Sequence, residues 1–360
     1  MEGLRSRLAA IGEAAGLDRI GFAGTEAFTQ VELSMRRRRE NGMSAELGFT
    51  YNDPAVASTP RASFPWAKTL VVGASSYLPE AGSPDLEVPT DPPTGRVARV
   101  ASGDGYEPLR QGLQRIADHL RFEGFRAEVL CDDNRLVDRA AAVRAGIGWW
   151  GKNTMVLIPG IGPWAVLGSV VTDAQLAPGR ELDKTCGTCS ACLTACPTGA
   201  LVAPGVLDAR RCLAAWAQRR GVVPVEYRIA MGDRLYGCDD CLTVCPPGAR
   251  LIRSATASRG RFDLEMVLRA ADQTLLTGFA HWFIPHRDPA IVRRNALIAA
   301  GNSGSPGMVP AVSLYAAHPH WILRLHAAWA LQRIGGDGAA SVLEQRVGAE
   351  QDGRVRAELR

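Results

Sequence analysis

Apolar residues in the first half of the chain recur with two distinct periods. Residues 2–16 have the amphipathic spacing of a helix, Glu107–Phe122 sets Leu109, Leu113, Ile116 and Leu120 on one face, and Leu136–Ala145 reads as a helix ended by Gly146. Between them lie short apolar or β-branched runs of strand length, at Arg19–Ala23, Lys68–Ser75, Arg126–Leu130 and Trp164–Thr172. Pro79 to Gly95 holds five prolines and two glycines and reads as a loop. The pattern changes near residue 176: a Gly- and Pro-rich stretch follows that contains every cysteine except Cys131, and its order should depend on metal ligation more than on a core. From about residue 255 the pattern is helical.

The helical end contains an internal echo. Val292-Arg293-Arg294-Asn295-Ala296 recurs as Leu323-Arg324-Leu325-His326-Ala327, and Ala299/Ala330 and Gly304/Gly335 keep the same offset of 31 residues. Small residues recurring in this way let paired helices pack closely, as in HEAT-like repeats. The fold expected is therefore α+β in three parts: an N-terminal α/β domain over 1–175, a ferredoxin-like domain over 176–254, and HEAT-like helices over 255–360.

Composition narrows the class. A hydrophobic content of 46% suits an ordinary globular chain, and no apolar run approaches the roughly 18 residues of a membrane span. The N-terminus lacks the apolar core and cleavage site of a signal peptide, so a cytoplasmic, reduced setting is expected, with no membrane partner and a monomer as the simplest state. The net charge of +4 is uneven: residues 1–203 carry −2 and residues 204–360 carry +6. A basic C-terminal half suits a polyanionic partner, or simply a solvated arginine-rich surface.

The cysteines carry the chemistry. Cys186-x2-Cys189-x2-Cys192-x3-Cys196-Pro197 is the bacterial ferredoxin run, in which three thiolates grip one [4Fe–4S] cube and the fourth crosses to another. The second group is Cys238-x2-Cys241-x3-Cys245-Pro246, with Cys212 upstream. The crossing rule assigns Cys186, Cys189, Cys192 and Cys245 to one cluster, and Cys196, Cys238 and Cys241 to the other. Cys212 is the remaining cysteine nearby and completes the second set. Two zinc sites of four cysteines are the alternative, against which the spacing and the following prolines argue. Cys131, at a strand end, reads as a core thiol.

A bare ferredoxin is far shorter, so about 175 leading residues imply a second redox centre or substrate site. Gly146-Ile147-Gly148-Trp149-Trp150-Gly151 formally matches a dinucleotide fingerprint, but it follows a helix and places two tryptophans in the turn. There is no P-loop. No histidine sits in a D-x-H-x-x-G arrangement, so cobalamin ligated by a protein histidine is not indicated.

Asp132, Leu136-x-Asp138-Arg139-Ala140, Arg144-Ala145-Gly146-Ile147-Gly148-Trp149-x-Gly151-Lys152-Asn153-Thr154, the cysteine runs with Arg211-Cys212 and Tyr236-Gly237-Cys238-Asp239-Asp240-Cys241, and Arg294-Asn295-Ala296-Leu297 together resemble epoxyqueuosine reductases, from about Ile20 to Gly336. That resemblance implies reduction of the epoxide of epoxyqueuosine at the tRNA wobble position. The cofactors implied are two [4Fe–4S] clusters and a cobalamin held without a histidine, supplied by an external low-potential electron donor. It further implies that Asp132 is the general acid protonating the departing oxygen. From its residues alone, Asp132 could equally be a solvated turn residue or a helix cap, as could Asp133 and Asn134.

Lys152, Asn153 and Thr154 match the family's cofactor-side stretch, or form a polar turn. Tyr106 matches a family tyrosine by the same pocket, or is a core tyrosine. Arg210, Arg211, Arg219, Arg220, Arg293, Arg294 and Arg324 could line a tRNA phosphate track, or be surface charge. The chain departs from the family at Asp133-Asn134-Arg135, at Glu107 and at Val56-Ala57. These departures leave open a related cobalamin and iron–sulfur reductase of a small molecule, such as an organohalide.

Overall fold

The periodic segments fold at the positions their patterns predict, in a computed structural model that describes residues 2–45, 47–78, 93–254 and 260–359. Helices run over Glu2–Ala14, Tyr106–Phe122 and Asp138–Arg144, and strands over Arg19–Gly24, Thr69–Ser76, Ala127–Cys131 and Ala165–Thr172. Of the proline-rich stretch expected as a loop, residues 79–92 lie outside the described residues. Its end enters the strand Thr94–Val97 instead.

The chain divides into two compact units. The first comprises residues 1–83, 104–210 and 240–256, and the second residues 84–103, 211–239 and 257–360. Of the stretch expected as a middle domain, residues 176–210 and 240–254 fall in the first unit and 211–239 in the second.

In the first unit the four long strands form one sheet, ordered Arg19–Gly24, Thr69–Ser76, Ala165–Thr172, Ala127–Cys131, with every neighbouring pair antiparallel. The helix Tyr106–Phe122 lays Leu109, Leu113, Ile116 and Leu120, all fully buried, on this sheet. Each such side chain contributes about 1.5–3 kcal/mol by leaving water. Gly168 makes the seating possible: a Cβ there would lie 2.8 Å from Leu113 and 2.9 Å from the Leu130 carbonyl. The edge strand Ala127–Cys131 ends where the Asp132 turn begins, so the sheet fixes the origin of that turn.

In the second unit the helices Ala290–Ser303 and Trp321–Ile334 pack against each other with small residues in contact. A Cβ on Gly301 would lie 2.9 Å from the Ala330 Cα. The three-stranded sheet Arg234–Tyr236, Thr94–Val97, Arg261–Asp263 and the aromatic stack of Tyr236, Trp282 and Phe279 complete this core.

Candidate iron–sulfur and acid site

Three features place the first cysteine loop. Cys192 is buried on the short helix Ala191–Ala195, Gly187 takes the left-handed backbone the loop requires, and the Lys152 ammonium donates to the Gly187 and Cys189 carbonyls at 2.7 and 2.8 Å. Lys152 therefore ties the loop down, a contact that motif matching did not suggest for it. The turn after Cys245 docks closely, since a Cβ on Gly248 would meet the Trp164 ring at 2.4 Å.

This docking brings Cys245 beside Cys186, Cys192 and Cys189. Burial first, and then the charge of those three in that order, pushes the Cys245 thiol up to about 12. Cys192 is also raised, by burial and by Cys186 and Cys189. As thiolates these four would repel one another, and a cationic iron–sulfide cube would offset that repulsion. Among the described residues no three His, Cys, Asp or Glu side chains could hold one metal ion together. A cube asks for no such convergence, because each thiolate takes its own iron.

Cys196 behaves differently. Burial raises its thiol, but the backbone N–H groups of Leu201, Thr198 and Ala200 outweigh that and hold it below the ordinary thiol value; the Ala200 N–H donates to Sγ at 3.1 Å. This favours the thiolate that metal ligation needs. Cys241 lies in the first unit with Cys196, whereas Cys212 and Cys238 belong to the second. Cys212 precedes the helix Leu213–Gln218, and Cys238 packs against the second unit's core.

Asp132 stands on a turn with φ +53°, a left-handed backbone that costs a non-glycine residue energy and persists only where the surroundings impose it. The residue is exposed at the turn, yet burial of its carboxyl, with the charge of Asp133, raises its pKa above the ordinary aspartate value. It is not a helix cap: the next helix begins at Asp138 after Val137, with no side-chain cap. The unusual Asp133-Asn134-Arg135 segment is occupied with itself. Arg135 grips Asp133 at 2.6 and 2.9 Å, pairs with Glu128 at 2.9 Å, and lies 4.9 Å over the Phe64 ring.

Tyr106, at the start of its helix, is half-buried. Its phenol is raised by burial and then by Asp132, Asp138 and Cys131, which places all four groups in one neighbourhood. Sequence reasoning missed two of them. Cys131 is half-buried at the strand end, and burial, followed by Asp138, pushes its thiol up to about 12. Asp138 has a buried Oδ1 with no hydrogen-bond partner, and its carboxyl is held well above the ordinary aspartate value by burial and then by Asp132. In the sequence it looks like any acidic residue in a helix's first turn.

Asn153 is buried with its Nδ2 unpartnered, while its Oδ1 accepts from the Met155 N–H at 3.2 Å; Trp149 Nε1 is likewise a buried donor without a partner. Thr154 turns with φ +69°. The Gly146–Gly151 stretch makes no phosphate loop. It feeds the hairpin of Trp149–Trp150 with Val156–Leu157.

The arginines separate into two groups. Arg293 and Arg294 are buried, so the expected phosphate contact does not hold for them. Arg294 uses its guanidinium on the carbonyls of Trp216, Arg219 and Gly221 and on Asn295, and burial brings its pKa down to about 9. Arg293 binds Asp272, Tyr315 and the Leu268 and Ala270 carbonyls. Its repeat counterpart Arg324 is held by Glu350 and by two carbonyls. A buried guanidinium needs such partners to offset lost hydration, and the packed repeat supplies them. Arg210, Arg211 and Arg220 are exposed; Arg210 pairs with Asp208, and Arg219 lies 4.4 Å over the Trp216 ring.

Comparisons agree with this geometry. Residues 185–248 match the family described as 4Fe-4S double cluster binding domain, and residues 282–360 match HEAT repeats. The chain is 30% identical to an epoxyqueuosine reductase of Bacillus cereus (strain ATCC 14579), over 99% of this chain and 96% of the relative. It is 32% identical to one of Pseudomonas aeruginosa, over 90% and 92%. A crystal structure of an epoxyqueuosine reductase with an epoxyqueuosine-modified tRNA-Tyr stem loop superposes with a TM-score of 0.91 at 30% identity, covering 99% of this chain and 97% of that one. A Bacillus subtilis epoxyqueuosine reductase whose catalytic aspartate loop is swung out of the active site gives 0.89 at 29% identity, with the same coverage. Among the described residues no helix is long and apolar enough to cross a membrane.

Proposed function

The chain belongs to the epoxyqueuosine reductase family, and we propose that it reduces the epoxide of epoxyqueuosine in tRNA to the alkene of queuosine, with Asp132 as the general acid. The observation that carries this reading is the near-full-length likeness to a reductase structure that holds an epoxyqueuosine-modified stem loop. Such a substrate places the protein in the cytoplasm.

Removing the epoxide oxygen as water takes two electrons and two protons. When bound, two [4Fe–4S] clusters and cobalamin would supply the electrons one at a time from a low-potential external donor. Cys186, Cys189, Cys192 and Cys245 would hold the first cluster and, by the crossing rule of the spacing, Cys196, Cys212, Cys238 and Cys241 the second. The buried unpartnered donors Asn153 Nδ2 and Trp149 Nε1 fit a cofactor rich in amide carbonyls, because such donors are costly without an acceptor. Lys152 keeps the first cluster's loop in place.

Asp132 protonates the departing oxygen. Its raised pKa keeps a fraction of the carboxyl protonated nearer neutral pH than an ordinary aspartate would. Tyr106 stays a neutral phenol beside it, where a second anion would be repelled. The exposed arginines Arg210, Arg211 and Arg220, with the half-buried Arg219, contact tRNA phosphates.

The test is anaerobic reconstitution with iron, sulfide and cobalamin, metal quantification, and an assay on epoxyqueuosine-containing tRNA. About eight irons and one cobalt per chain with turnover that depends on Asp132 support the proposal. A fully loaded protein inert on that RNA overturns the substrate, and points to a small molecule as the one that the Asp133-Asn134-Arg135 departure serves.

A further inference from the structure

We propose that Arg135 is a positioning residue for the proton donor: by closing on Asp133, on Glu128 and on the Phe64 ring, it fixes the Asp132 turn and so the place from which Asp132 delivers its proton. This rests on the reading of Asp132 given above. Family likeness does not supply it, since Asp133-Asn134-Arg135 is where the chain departs from the family.

The turn is short, and both of its ends are anchored. Cys131, the last residue of the edge strand, pairs with Gly168. Leu136 is buried in the same core as Phe64 and Leu130, and the Val137 N–H donates to the Ala57 carbonyl at 3.0 Å. Between these anchors lie only Asp132, Asp133, Asn134 and Arg135. Asp132 takes φ +53°, a backbone that a non-glycine residue leaves unless its neighbours hold it.

Arg135 supplies that hold. Its Nε donates to Asp133 Oδ1 at 2.9 Å and its Nη2 to Asp133 Oδ2 at 2.6 Å, a two-point fork that closes the turn on itself. Asp133 Oδ1 also accepts from the Arg135 backbone N–H at 2.9 Å. The remaining Nη1 reaches out of the turn to Glu128 at 2.9 Å, and the guanidinium lies 4.9 Å over the Phe64 ring. Side chains alternate along a strand, so Glu128 shares a face with Leu130, which packs in the core of Phe64 and Leu136. A lone ion pair at a surface contributes little. A fork joined to a second carboxylate and an aromatic face restrains the guanidinium from three directions. The fork has a further consequence. Hydrogen bonding by the Arg135 side chain holds the Asp133 carboxyl below the ordinary aspartate value, which leaves Asp132 as the acid of the adjacent pair.

Hydrogen–deuterium exchange on the intact chain reads the turn without any reaction. The Arg135, Leu136 and Val137 N–H groups are all bonded. R135Q should speed exchange of these amides by about tenfold while leaving the strand Ala165–Thr172 and the unfolding midpoint as in wild type. In single turnover on epoxyqueuosine tRNA, R135Q should slow the reaction by about tenfold with tRNA affinity unchanged, and R135K should recover part of the rate. Because Arg135 acts only through Asp132, the double variant D132N/R135Q should be no slower than D132N. Exchange in R135Q equal to wild type overturns the proposal. So does a wild-type rate once exchange has risen, or a double variant slower than D132N. Should R135Q fail to fold, E128A takes its place and removes only the tie to the strand. A smaller rise in exchange and a smaller fall in rate are then expected, and no change in either overturns the proposal. If the wild type is inert on that RNA, the substrate reading has failed, and the exchange comparison still decides whether Arg135 fixes the turn.

Discussion

The helix Ala290–Ser303 and the turn around Asp132 both hold polar groups inside the protein, and they treat them in opposite ways. On the helix each buried polar side chain is answered. Arg294 meets three carbonyls, Asn295 donates to Ala217 and Leu235, and Asn302 donates to Arg228 and Gly232. Within the first unit, Asp138, Asn153 and Trp149 each keep a buried polar atom with no partner, and Asp132 holds a strained backbone. Saturated polarity of the first kind builds architecture: it clamps the 211–239 segment, with its two cysteines, onto the repeat helices. Unsaturated polarity of the second kind costs stability and is retained where a ligand or a proton completes it.

Substitutions should separate the two kinds. The largest effect is expected at Asp132: D132N should lower turnover on epoxyqueuosine tRNA by about 10²–10⁴-fold while leaving iron content and unfolding unchanged, as read by single-turnover kinetics beside a denaturation curve. A turnover loss matched by an equal loss of stability would make Asp132 architectural and erase the contrast.

Next comes Arg294. R294M leaves several buried carbonyls unanswered and should destabilise the second unit by at least about 3 kcal/mol, measured by urea unfolding. Little change in tRNA affinity is expected among molecules that remain folded, and a selective loss of RNA binding would return Arg294 to the phosphate track.

A smaller effect follows from His326. Burial, then Arg228 and Arg294, lowers its pKa well below the ordinary imidazole value, and its Nε2 accepts from the Val223 N–H. A base with a depressed folded pKa binds fewer protons native than unfolded. Its contribution is therefore full above about pH 6.5 and is lost as pH falls below it, at up to about 1.4 kcal/mol per pH unit. H326Q should flatten that stretch of the stability-versus-pH curve; an unchanged slope would assign it to other groups.

The smallest effect is expected at Arg220, whose side chain is 62% exposed. R220A should weaken tRNA binding uniformly across sequences and reduce the slope of log affinity against log salt by about 1. An unaltered slope would remove it from the interface.

What the chain's order of residues determined by itself is local. The cysteine spacing predicts clusters because three thiolates within seven residues reach one cube through short loops, and the helices and strands follow from apolar periods that any observer can count. The repeat helices were legible for the same reason, from Ala299/Ala330 and their neighbours. Tertiary structure alone decided what the polar residues do. Arg293 and Arg294 read as tRNA phosphate contacts or surface charge until carbonyls some 75 residues away enclosed Arg294. Lys152 read as a cofactor-side residue or part of a polar turn, and its bond to the cysteine loop 35 residues on is a contact only the fold supplies. Asp138 carried no distinct sign in the sequence, and only the fold buried one of its oxygens without a partner. Burial and partnership depend on residues distant in sequence, and they set the charge state of a polar group; periodicity depends on neighbours.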